Sequence, residues 1–122
     1  MEKADIYRQV LDGKIILNTA KEYISLGAQN IYEEIVVFPL QIVNMLCMYL
    51  KNEISAEKLS EWASFLITSD VYVCPDWKDK EKSEKYERMW YVLQQLSSPE
   101  LGGEITQKGV RQHLQTLHEI VS

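Results

Sequence analysis

The sequence predicts an all-α fold: a compact single-domain bundle of about five to six helices spanning residues 1–122. Three observations lead there. Apolar residues recur at helical spacing along most of the chain. Good capping residues, Ser55 and Thr106, stand directly before two of those stretches. The β-branched run that would suit a strand is short, Ile35-Val36-Val37-Phe38, so strand is expected to be absent or confined to residues 35–38 and 71–74.

Taken in order, residues 2–12 suit a short helix with Ile6, Tyr7 and Val10 on one face, ended by the turn signal Asp12-Gly13. Asn18 or Thr19 is expected to cap a second helix reaching about residue 29, with Ala20, Tyr23, Ile24 and Ala28 apolar and Gly27 weakening its end. Pro39 suits the first position of a helix over 39–51, because its missing N–H would lack an intrahelical partner there anyway. In that helix Leu40, Val43, Leu46, Cys47 and Leu50 form the predicted buried face. Ile42, Met45 and Tyr49 widen it, suggesting a central helix covered on most sides.

Asn52-Glu53-Ile54 reads as a tight connection, with Ser55 capping a helix over 56–68 that buries Leu59, Trp62, Ala63, Leu66 and Ile67. Ile54 is placed to staple onto Leu59. Residues 69–80, with Pro75 and several Asp, are expected to be irregular. A helix over 81–96 should bury Tyr86, Met89, Trp90, Leu93 and Leu96, and Ser97-Ser98-Pro99 should stop it. After a turn at Leu101-Gly102-Gly103, Thr106 caps the last helix, with Val110, Leu114, Leu117 and Val121 as its stripe. Trp62, Trp90, Leu46 and Leu93 are expected to share one core.

Size and composition agree with a folded domain. At 122 residues the chain can bury about two-thirds of the surface it exposes when unfolded, so a core needs neither disulfide nor metal. Its 46% hydrophobic and 25% charged content is that of a globular protein. The net charge of −5 is spread evenly over both halves, which argues against a nucleic-acid surface and suits a basic partner. Cys47 reads as a small core residue and Cys74 as a loop residue; together they make no metal or redox motif, and a disulfide between them stays open. The charged N-terminus lacks the apolar core of a leader, and the longest apolar run, residues 35–40, contains a proline. A cytoplasmic protein without a membrane partner is the expectation.

No catalytic, cofactor-binding or metal-binding residue is predicted. Gly102-Gly103 follows a helix-stopping proline and belongs to no strand–loop–helix phosphate cradle. His113 and His118 on one helix point about 140° apart, so they cannot share a metal as an i, i+4 pair could. Both are expected to face solvent. No serine sits in a nucleophile elbow. An enzyme with a site assembled from distant residues is left as a third possibility.

The candidate partner-binding residues are Glu53, Glu57, Glu61, Asp70, Tyr72, Asp76 and Trp77. Glu57 and Glu61 share one face of the Ser55 helix, where like charges repel by a few tenths of a kcal/mol. The stripe is therefore either an ordinary solvated face or a contact for a basic partner. Tyr72 and Trp77 in the acidic loop suit interface anchors, the other reading being that they fold back onto the domain's own core. The alternating charges of residues 78–88 suit a self-compensated solvent face.

Two stretches carry a family resemblance. One is Tyr49-Leu50-Lys51-Asn52-Glu53-Ile54-Ser55-Ala56-Glu57-Lys58-Leu59-Ser60-Glu61-Trp62-Ala63. The other, after the acidic aromatic loop, is Leu96-Ser97-Ser98-Pro99-Glu100-Leu101-Gly102-Gly103-Glu104-Ile105-Thr106. The arrangement, over roughly residues 46–117, resembles small helical immunity proteins of bacterial contact-dependent growth inhibition and related polymorphic-toxin systems. The resemblance implies an all-helical protein that binds a cognate toxin domain and blocks its active site, commonly a nuclease with a basic cleft. It carries over no catalytic residue and assigns no contact residue. The rival is a small adaptor or subunit of a protein assembly, without catalytic activity, that binds through an apolar face.

Overall fold

The computed structural model describes residues 3–15, 17–26 and 34–121. Among these, six helices of nine residues or more carry the fold: α1 Lys3–Leu11, α2 Leu17–Leu26, α3 Pro39–Leu50, α4 Ala56–Thr68, α6 Glu87–Ser97 and α8 Gln107–Val121. Two single-turn helices, α5 Lys80–Ser83 and α7 Pro99–Gly102, complete the set. The expected all-α bundle is the observed one. Among the described residues strand is limited to β1 Ile35–Val36 and β2 Tyr72–Val73, inside the two segments anticipated.

The strands pair in parallel, Ile35 opposite Tyr72 and Val36 opposite Val73. A parallel pair needs a crossover of a dozen or more residues, and α3 with α4 supplies it. Two further bonds lengthen the ladder: Ile35 N–H donates to the Val71 carbonyl at 2.8 Å, and Val37 N–H to the Val73 carbonyl at 2.9 Å. Ile35 and Val37, two residues apart, point into the core.

The core is one continuous cluster drawing on every helix of nine residues or more. Its main axis is α4 against α6, flanked by α3 on α8, α6 on α8 and α1 on α2. Leu59, Trp62, Ala63 and Leu66 of α4 are buried against this cluster with Met89, Val92, Leu93 and Leu96 of α6. Trp62 also ties α4 to α1, its Nε1–H donating to the Val10 carbonyl at 2.9 Å. At the α1–α2 turn Gly13 has φ +69°, and a Cβ there would meet the Met45 sulfur at 2.7 Å. Only glycine fits both demands.

Several expectations need correction. α2 opens at Leu17, which packs on the core, so Asn18 and Thr19 lie inside its first turn rather than capping it. Gly27, Ala28 and the side chain of Tyr23 lie outside the described residues. In α3 the buried residues are Pro39, Ile42, Met45 and Leu46, with Val43, Cys47 and Leu50 half-buried and Leu40 out in solvent. The buried face is rotated from the predicted one: α3 packs on α4 and α8, with Met45 against the Gly13 turn, and Leu40 is left outside those contacts. The helix over 81–96 is broken into α5, a 3₁₀ turn Glu84–Tyr86 and α6. Residues 80–86 bury no side chain, so tertiary packing does not hold them to α geometry. Tyr86 and Trp90 are accordingly half-buried. Pro99 ends α6 as expected and then starts α7. In α8, Ile120 is buried in place of Val121.

Candidate functional site

The acidic residues of the candidate surface are set by two helix ends. Asn52, φ +63°, occupies the left-handed position after α3. Its N–H donates to the Tyr49 carbonyl at 3.0 Å and that of Glu53 to the Met48 carbonyl at 2.9 Å, the paired bonds of a Schellman ending. The chain then turns outward at Glu53 and re-enters helix at Ser55, whose Oγ accepts from the Lys58 N–H at 3.1 Å. That cap fixes the phase of α4. Leu59, Trp62 and Leu66 go inward, while Glu57 and Glu61, one turn apart, stand exposed.

Among the described residues neither Glu57 nor Glu61 makes an ion pair. Glu57 lies in the first turn, where the helix dipole favours a carboxylate, which offsets part of the mutual repulsion. Glu61 also stands at the mouth of a cavity of about 240 Å³ between α1, α3 and α4. Met45, Met48 and Trp62 wall this cavity, and Lys14 and Lys58 share its rim. The acidic stripe is therefore bordered by two lysines on that side.

Asp70 and Asp76 are exposed but lie beyond the other end of α4. At 1.5 Å rise per residue, Glu57 and Thr68, the last residue of α4, are about 17 Å apart along the axis, and Asp70 follows beyond that end. Glu57 and Glu61 thus share one face near the start of α4, exposed Glu53 lies in the turn before it, and Asp70 follows the far end of the helix.

The two aromatic candidates part company. Tyr72 is only 5% exposed. Its hydroxyl donates to the Tyr7 carbonyl at 2.7 Å, and its ring meets Tyr7 and Phe65 edge-on at 5.8 and 6.1 Å. Burial, and then the neighbouring Tyr7 and Asp12, push its phenol well above the usual tyrosine range, so it stays protonated. Tyr72 is a core residue, not a surface anchor; the alternating pleat of β2 turns it inward. Trp77 remains at the surface, 46% exposed. Its Nε1–H donates to Glu34 Oε2 at 3.0 Å, and Lys78 Nζ lies 5.3 Å from its ring centre. The turn that presents it is built on Asp76, φ +54°, whose carbonyl accepts from the Asp79 N–H at 2.9 Å.

The remaining chemistry-bearing side chains stay apart. Cys47 and Cys74 are free and half-buried, and burial raises the Cys74 thiol above its ordinary value. His113 is half-buried rather than solvent-facing, and desolvation lowers its pKa; His118 is exposed. Among the described residues no three His, Cys, Asp or Glu side chains are grouped to hold a metal ion, and no helix is long and apolar enough to cross a membrane.

One surface feature escaped the sequence reading. Between the start of α3 and the end of α8 lies a groove of about 510 Å³, lined by Leu40, Val43, Leu114, Leu117 and Val121 with Arg111 and His118. The available signal was the near-continuous apolarity of α3, which holds more large apolar side chains than one helix face can bury. No family model, curated protein or solved structure matches this chain.

Proposed function

We propose that this chain is a non-catalytic binding protein of the immunity type, capturing a cognate toxin domain by covering its active-site region. The observation that carries this reading is the pair Glu57 and Glu61: exposed, on one face of α4, next to Glu53, and without ion pairs among the described residues. Their repulsion is unfavourable to the isolated domain, and a cationic partner surface would relieve it. A nuclease is the toxin chemistry that fits best, because a cleft built for phosphate is lined by Lys and Arg. Trp77, exposed and hydrogen-bonded to Glu34, is the aromatic contact of this reading, apart from the α4 glutamates.

The test is the double substitution Glu57→Lys with Glu61→Lys, assayed against the purified C-terminal domain of the protein encoded immediately upstream. Binding should fall at least ten-fold at low ionic strength, and the difference from the parent should shrink as salt screens the charges, with a Debye length of about 8 Å at 0.15 M. Circular dichroism of the variant controls for the lost dipole contribution at position 57. Unchanged affinity at low salt would remove the α4 face from the interface.

A further inference from the structure

We infer that the groove between α3 and α8 is a docking site for an amphipathic helix of about three turns with acidic flanks, presented by a partner protein. Leu40 is 67% and Val121 62% exposed at its two rims, and the fully buried Leu117 forms part of its floor. The periodicity of both helices assigns Leu40 and Val121 to a core, yet among the described residues both stay largely uncovered. Phe38, also half out in solvent, extends the apolar surface beyond the first turn of α3.

The shape selects a helix. Both lining elements are helices, with their interior N–H and carbonyl groups already bonded within the element. They leave an extended peptide little backbone to pair with. A helix arrives with its own backbone bonded and lays an i, i+3, i+4, i+7 ridge into the groove. From Arg111 to Val121 is about 15 Å along α8, just under three turns.

The charge selects the flanks. In a chain of net charge −5, Arg111 and His118 are, among the described residues, the ionisable ones lining this groove. Carboxylates beside the partner's apolar ridge complement them. A second copy fits poorly. Two grooves meeting about a two-fold axis would bring Arg111 and His118 of both copies together with no carboxylate among the lining residues to pair with them. The acidic helix α4, offered instead, exposes no large apolar side chain to fill the groove. The inference does not depend on the role of Glu57 and Glu61.

The experiment uses the folded full chain and a displayed library of amphipathic 14-residue peptides with one fixed Leu ridge and randomised flanks. Selected peptides should be enriched in Asp and Glu. Their affinity should drop at least ten-fold for the double variant Leu40→Gln, Val121→Gln, whose altered side chains are already exposed. The substitution Arg111→Glu should shift the selected flanks toward Lys and Arg. Peptides enriched in basic flanks, or binding that survives both variants, would overturn the proposal. So would sedimentation showing a dimer of the parent that Leu40→Gln with Val121→Gln dissociates, because a second copy would then be the occupant.

Discussion

Trp62 fills two roles with one side chain. Its ring is buried between α4 and its neighbours, and its indole N–H satisfies the Val10 carbonyl. Removing the ring should cost about 3–5 kcal/mol, a large part of a total of roughly 5–15 kcal/mol. Trp62→Phe keeps most of the apolar area and loses one hydrogen bond, for about 0.5–1.5 kcal/mol, because the Val10 carbonyl still accepts from the Gly13 N–H at 3.0 Å. Trp90, half-buried on α6, should lose less than Trp62 on replacement by Ala. Urea denaturation of the three variants checks that order. If Trp90→Ala proved the most damaging, the packing of α4 described above would be wrong. Sequence reasoning put both tryptophans in the core, because size and hydrophobicity give burial as the default. It could not see that α6 presents Trp90 near the edge of its contact with the rest of the bundle.

Among the elements, α4 is the one whose limits were most legible. Its cap, its apolar spacing and the Asn52 turn before it are all local properties of consecutive residues. Ser55→Ala should therefore destabilise the protein by about 1 kcal/mol, through loss of the bond from the Lys58 N–H. Ser55→Gly should cost less, since glycine suits the extended backbone of the cap and lets water reach the freed donor. Thermal melts of both variants test this, and equal losses would count against the cap as the cause. The segment over residues 80–86 shows the opposite case. Helix propensity predicts one continuous helix there, but its one apolar side chain, Tyr86, is only half-buried, and the last turn before α6 tightens into 3₁₀ form.

Across the whole molecule, α8 docks on both α3 and α6. His113 sits on that seam beside Leu96, Ile105 and Val110, at a small cavity whose one other ionisable lining residue is Glu104. Desolvation lowers its folded-state pKa below the ordinary 6.5. The unfolded chain then binds the proton first as pH falls. Stability is complete above about 6.5, declines as pH drops from there toward the folded-state value, and is level again below it. Between pH 7.5 and 5.5 the parent should lose Tm, while His113→Gln should lose less over the same interval. In a domain of this size each kcal/mol corresponds to roughly 2–8 °C. Parallel Tm profiles for the two proteins would show that this side chain does not carry the dependence.

Legible in the residues alone were the helical class, the sites of the α4 and α8 caps, the turn at Gly13, the stop at Pro99 and the two strand segments seen among the described residues. Each rests on interactions within a few residues, so local spacing contains the information. Tertiary packing alone chose the buried face of α3 and the orientation of the aromatic loop. It turned Tyr72 inward onto Tyr7 and Phe65, left Leu40 and Val121 in solvent, and separated Asp70 from Glu57 by the length of α4. A helix as apolar as α3 offers several faces of nearly equal hydrophobicity, and its own residues do not rank them. The neighbours that pack against it choose, because burial is favourable only where another surface arrives to exclude water.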